Sequence, residues 1–136
     1  MAVERRDPYR SFNFRVAIGG RARATDGYSE VRLPTLAIGG DVPDWMASER
    51  HLVLRRGYTG SSDLHEWWTK ERASPKRGRG RVVVVELLDE TGGEAVTAWR
   101  FVGCRPVALH YSPLNALESA VLVETIALAF DDVAIS

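Results

Sequence analysis

The stretch from Arg81 to Asp132 constrains the fold more than any other part of the chain. Arg81-Val-Val-Val-Val-Glu-Leu-Leu-Asp89 is β-branched and apolar, the turn residues Asp89-Glu-Thr-Gly-Gly-Glu94 follow, and Val96-Thr-Ala-Trp-Arg-Phe-Val102 resumes the strand pattern. The pattern predicts a long hairpin, a kinked continuation, and one more long strand in Ala120-Val-Leu-Val-Glu-Thr-Ile-Ala-Leu-Ala-Phe130. Val83, Val85 and Leu87 alternate with Val82, Val84 and Leu88, so both faces of the first strand are apolar. Neither face can be left to water without cost, so such strands require a second layer or neighbouring chains. That requirement points to assembly more than to chemistry.

Upstream, Phe12–Ile18, Tyr28–Leu33 and His51–Arg56 read as three further short strands, ended by Gly19-Gly20, Pro34 and Gly57. Residues 1–10 read as a flexible lead-in, and residues 34–50, with Gly39-Gly40, Pro43, Trp45 and Met46, as an irregular arm without periodicity. One helix is predicted after Ser61-Ser62, with Asp63 and Glu66 spaced as a capping box, running to about Arg72 before Pro75. Leu64, Trp67 and Trp68 form its single apolar stripe and are read as its packing face on a sheet, ahead of a ligand-stacking pair. The fold class is therefore mainly β with one flanking helix, in a single domain spanning residues 1–136.

Bulk composition narrows the function. Eighteen basic residues balance 18 acidic ones, which disfavours a generic nucleic-acid binder. Cys104 stands alone, so no internal disulfide is expected, and a buried strand thiol is its natural reading. The polar N-terminus and the lack of a long apolar run lead to the expectation of synthesis in a cytoplasm, with no membrane anchor.

No catalytic constellation is visible. His51, His65 and His110 lack metal-ligand spacing, Ser61 and Ser62 sit as caps rather than in a nucleophile elbow, and no glycine-rich stretch matches a phosphate loop. No cofactor is expected. The one charge anomaly is Lys76-Arg77-Gly78-Arg79-Gly80-Arg81. It reads first as a solvated loop, with phosphate contact or a cationic rim as alternatives; a rim would meet Asp89-Glu90 or Asp131-Asp132 of another copy.

Several motifs in order resemble one family. They are Asp7-Pro8-Tyr9 with Phe12-Asn13-Phe14-Arg15-Val16, Gly27-Tyr28-Ser29-Glu30-Val31, Leu52-Val53-Leu54-Arg55-Arg56-Gly57, and Ser62-Asp63-Leu64 with Trp67-Trp68. Trp99-x-Phe101, Pro106, Leu114-Asn115-Ala116 and Val123-Glu124-Thr125-Ile126-x-Leu128-Ala129 complete the set. Together they resemble the tail tube proteins of contractile phages and of phage-tail-like contractile injection systems. The resemblance implies two packed antiparallel sheets with a flanking helix. It implies homo-hexameric rings whose inner sheets join into one β-barrel, and stacking of those rings into a conduit expelled by sheath contraction. Its partners would be a contractile sheath, baseplate or spike and tube-terminator proteins, with payload or DNA passing through the lumen, in a virion or an extracellular particle. The seam residues would then be Lys76, Arg77, Arg79, Arg81, Asp89, Glu90, Asp131 and Asp132, with Trp45 and Met46 of the arm. Between Leu33 and His51 the chain departs from the family by a shorter arm, which keeps a tube-end or baseplate adaptor in view. A small ligand-binding β-barrel is the alternative of another class.

Overall fold

The computed structural model describes residues 13–20 and 27–136. The lead-in of residues 1–10 and the opening motif through Phe12 lie outside the described residues. The order is β1 (Phe14–Ile18), β2 (Tyr28–Arg32), α1 (Asp44–Ala47), β3 (Leu52–Gly57), α2 (Asp63–Ala73), β4 (Arg81–Leu88), β5 (Ala95–Tyr111), β6 (Val123–Ala129) and β7 (Asp132–Ile135).

The hairpin of β4 and β5 is the spine. Val83 stands opposite Phe101, Val85 opposite Trp99 and Leu87 opposite Thr97. Its turn is closed by Asp89 N–H to the Glu94 carbonyl at 2.9 Å. The Asp89 carboxylate accepts from the Thr91 hydroxyl at 2.7 Å and from Gly93 N–H at 3.2 Å. The kinked continuation is the same strand: β5 runs on for 17 residues and changes sheets. The change occurs at Gly103, whose φ of 68° suits glycine. A Cβ there would collide with the Asp131 carboxylate, and one on Gly80 would lie 2.7 Å from the Gly103 carbonyl carbon. A register shift between Pro106 and Ala108 completes the bend.

Two antiparallel layers result. β1, β4, the first part of β5 and β7 form one; the last part of β5, β6, β3 and β2 form the other. Period-2 alternation buries one face of each. Val16, Val83, Val85 and Phe101 meet Leu52, Leu54, Ile126 and Leu128 in a single core. Val82, Val84 and Leu88 on the opposite face of β4 are half-buried. Among the described residues neither layer closes on itself: the path through the sheet ends at β1 on one side and β2 on the other.

Four expectations are corrected. The last long strand is shorter than read, because residues 112–122 form a loop, and a further strand, β7, pairs Val133 with Phe101. The arm is not wholly irregular: it carries the one-turn helix α1 and is closed at its base by Thr35 N–H to the Glu49 carbonyl at 2.7 Å. The capping box is absent: the N-cap of α2 is Ser62, with no side-chain cap bond, and Asp63 is drawn elsewhere. On α2, Leu64 and Trp67 are buried at 2% and 5% exposure, whereas Trp68 is only half-buried. The 100° step per residue carries Trp68 past the contact line. There it lies between His65 and Arg72, whose guanidinium stands 4.6 Å from the ring centroid.

Candidate functional site

A row of polar side chains crosses the second layer from edge to edge. Tyr28, Arg56, Glu124 and Tyr111 are successive cross-strand neighbours on β2, β3, β6 and β5. Arg56 is 2% exposed and Glu124 0%. The Arg56 Nε donates to Glu124 Oε1 at 2.9 Å, and the Tyr111 hydroxyl donates to Glu124 Oε2 at 2.8 Å. The rest of the guanidinium binds the Asp63 carboxylate and stands 5.6 Å from the centroid of the Tyr28 ring. Burial lowers the basicity of Arg56, but the bonds from Asp63 and Glu124 outweigh it and hold its pKa above the ordinary value. Burial likewise pushes the Asp63 carboxyl up, while Arg56 and Ser61 prevail and hold it below its usual range. The row therefore bolts the first turn of α2 to the sheet.

Sequence reading missed this cluster, although a signal existed. Leu52, Leu54 and Arg56 alternate on one face of β3, and Glu124, Ile126 and Leu128 on one face of β6. Period 2 thus places one charge of each sign in the apolar row, where they must pair. Three of the motif blocks, Leu52–Gly57, Ser62–Leu64 and Val123–Ala129, meet here.

The basic run is organised by the other end of α2. Arg105, just past the bend of β5, donates to Glu71 Oε1 at 3.4 Å and to the Gly78 carbonyl. Glu71 Oε2 accepts from Lys76 N–H at 2.7 Å. Arg81 stacks 4.7 Å from the Trp67 ring centroid. A concavity of about 480 Å³ lies here, lined in part by Trp67, Lys70, Arg77, Arg79, Arg81 and Arg105. Lys76, Arg77 and Arg79 are exposed around it.

The acidic segments are not equivalent. Asp89 and Glu90 follow the last residue of β4, whereas Arg81 is its first, so acid tip and basic rim stand roughly 25 Å apart at opposite ends of one strand. Glu90 is exposed, but the Asp89 carboxylate serves its own turn, and the Thr91 hydroxyl holds its pKa below the usual carboxylate value. Asp131 and Asp132 lie at the basic end instead. Asp132 pairs with Val102 while Arg81 pairs with Cys104, and the Asp132 carboxylate accepts from Val133 N–H. In the arm, Trp45 is 71% exposed and Met46 half-buried.

Cys104 is buried, and burial pushes its thiol up to about 11. Among the described residues no three His, Cys, Asp or Glu side chains are placed to hold a metal ion, and no helix is long and apolar enough to cross a membrane.

Comparison with known proteins agrees with the architecture. No curated protein matches the sequence. Among solved structures, the sheath-tube complex of an extracellular contractile injection system, PVC, in its extended state gives a TM-score of 0.66 at 17% identity, covering 95% of this chain and 91% of that one. The tube-terminating cap of the anti-feeding prophage gives 0.69 at 17%, covering 100% and 95%. Hcp1 from Flavobacterium johnsoniae gives 0.59 at 16%, covering 92% and 95%. At these identities the likeness establishes the fold. The family model for the T4-like virus tail tube protein gp19 matches residues 44–134, from the helix of the arm through β7, and the chain belongs to that tail tube family.

Proposed function

We propose that this chain is an inner-tube subunit of a contractile phage tail or injection particle, which assembles as hexameric rings stacked into a conduit. The observation that carries the reading is the open sheet in a tail tube family member: among the described residues both layers end in terminal strands, and β1 and β2 do not close onto each other. Lateral addition of copies would extend the layers around a ring and remove the edges, a heterologous contact that closes only at the correct rotation. The Arg77–Arg81 rim and the exposed Glu90 tip stand at opposite ends of β4, a placement that favours head-to-tail stacking of rings. In this role no residue performs catalysis, and partners would be a surrounding sheath, a baseplate and a terminator.

Electron microscopy and sedimentation of the concentrated protein test the reading. Rings or tubes are expected. A monodisperse monomer at high concentration, even with the other particle components present, refutes it. A tube-end or baseplate position is the second reading, supported by the 99% mutual coverage with a sheath/tube terminator structure at 18% identity. A subunit that forms single rings and never tubes would favour it.

A further inference from the structure

Five cations converge on one concavity of a chain whose charges otherwise balance, 18 basic to 18 acidic. Lys70 of α2, Arg77 and Arg79 of the following loop, Arg81 of β4 and Arg105 of β5 line the space of about 480 Å³ beside the end of α2. The carboxylate among the lining residues is Glu71, and it is already committed, to Arg105 through Oε1 at 3.4 Å and to Lys76 N–H through Oε2 at 2.7 Å. Among the described residues no acidic side chain pairs with Lys70, Arg77, Arg79 or Arg81. The C-terminus of α2 offers the cluster only about half a negative charge. Five cations against one carboxylate leave a surplus of four, far more than that dipole balances, and cations gathered this closely repel unless an anion shares the space.

The cations are held in place by the fold. Arg105, with 16% of its side chain exposed, spends two of its five N–H donors on Glu71 and the Gly78 carbonyl, and it lines the concavity with its guanidinium so fixed. Arg81 is anchored over the ring of the buried Trp67, and the register of β4 on β5 sets it opposite Cys104, next to Arg105. The loop is shaped to bring its own arginines there. Arg77 N–H donates to the Ser74 carbonyl at 3.2 Å where the chain leaves the helix, and Gly78 and Gly80 turn it at φ of 82° and 72°. Gly80 lies against the bend of β5 so closely that a Cβ would stand 2.7 Å from the Gly103 carbonyl carbon. Helix, loop and sheet thus each supply positive charge to one space.

We infer that this concavity binds a small anion carrying several phosphoryl groups in a row, an inorganic oligophosphate or the triphosphate tail of a nucleotide. Guanidinium forks match phosphate oxygens in pairs, and four of the five cations are arginines. A single phosphate would reach only some of them across such a volume, whereas a chain of phosphoryl groups can meet cations from the helix, the loop and the sheet together. Arg81 and Arg105 are ordered before the anion arrives, so little freedom is lost on binding. A long nucleic-acid backbone suits the site less, because the zero net charge of the chain offers it no extended basic track.

Isothermal titration calorimetry of the full chain at low salt tests the site, with inorganic tripolyphosphate, ATP, orthophosphate and a short single-stranded oligonucleotide as probes. Binding is scored per chain whether or not rings form, so the result does not depend on the stacked-ring reading. Tripolyphosphate and ATP are expected to bind once per subunit, about tenfold or more tighter than orthophosphate. Equal binding of the two assigns the free oligophosphate as ligand, and tighter ATP assigns the nucleotide. Arg77→Gln with Arg79→Gln, and separately Lys70→Gln, all at exposed positions, should weaken both probes, the double variant by about tenfold or more. Arg50→Gln with Arg100→Gln, which removes the same charge from exposed positions that do not line the concavity, should leave binding unchanged. Circular dichroism checks that each variant is folded. No saturable binding, tripolyphosphate no tighter than orthophosphate, an equal loss in the Arg50 and Arg100 control, or an oligonucleotide that outcompetes both probes would each overturn the assignment.

Discussion

Replacing Arg56 with methionine isolates the buried cluster. The substitution keeps the aliphatic stem but removes the guanidinium, and leaves the Glu124 carboxylate, 0% exposed, with the Tyr111 hydroxyl. Removing one partner of a buried ion pair costs about 3–5 kcal/mol, against a total stability of about 5–15 kcal/mol for a domain. For 136 residues the unfolding entropy is about 0.3 kcal/mol/K, so the melting temperature should fall by roughly 10–17 °C. Urea titration followed by circular dichroism, at concentrations too low for assembly, reads the loss directly. Arg56→Met combined with Glu124→Leu should recover most of it, because an apolar pair replaces an orphaned charge. Asp63, with 37% of its side chain exposed, can then turn to water. Acid supplies an independent check. Arg56 and Ser61 hold the Asp63 carboxyl below its ordinary value in the folded state, so its contribution to stability is present above that ordinary value and is lost as pH falls through the folded one. Removing Arg56 should flatten that part of the acid profile. A loss below about 1 kcal/mol for Arg56→Met, or a double variant whose loss is the sum of the singles, would refute the reasoning.

Three further outcomes are expected. Trp67→Ala should cost about 3–5 kcal/mol, as for a truncated core aromatic, while Trp68→Ala should cost about 1 kcal/mol, mostly its contact with Arg72; equal losses in thermal melts would contradict the placement of the stripe. Gly103→Ala should destabilise by roughly 1–3 kcal/mol through its positive φ and the Asp131 collision, and Asp131→Ala in the same chain should relieve part of the loss; a neutral Gly103→Ala would remove the bend from the account. Arg77→Glu with Arg79→Glu should impair ring stacking without lowering the melting temperature, and added salt should weaken wild-type stacking in the same direction; normal tubes from this variant in sedimentation would return the basic run to a solvated loop.

The strands were legible because period 2 with β-branched residues has few other solutions, and Val83, Val85, Leu52, Leu54, Ile126 and Leu128 all lie inward as their spacing requires. What eluded sequence reasoning obeys tertiary rules. The kinked continuation is legible as such, but not that Gly103 makes it a corner at which one strand passes into a second sheet. Asp132–Ile135 is too short and too polar at its start to declare itself, and it becomes a strand only because β5 offers an edge beside Phe101. Asp63 looked like a cap because its spacing to Glu66 is local information; the guanidinium that claims it comes from the preceding strand. Arg56 and Glu124 are charged, and charged residues ordinarily lie outside, although their position in the alternation places both inward.

The cluster also bears on how a chain of zero net charge can both fold and assemble. A subunit that fastened its helix with surface ion pairs would compete with itself for the charges its seams require. Here one pairing is taken indoors, where Arg56 and Glu124 are shielded from salt, and the helix is held at its start by Asp63 on that same guanidinium, along its length by Trp67 under Arg81, and near its end by Glu71 on Arg105. Arg77, Arg79 and Glu90 are left on the surface at opposite ends of β4. Folding and assembly should therefore respond to different variables: stacking to ionic strength, the fold to acid and to loss of buried side chains. Raising salt at neutral pH ought to dissociate stacked rings well before it unfolds a subunit, and acid at low salt ought to unfold subunits first; a single transition common to both readouts under both conditions would show that the two sets of charges are not separate.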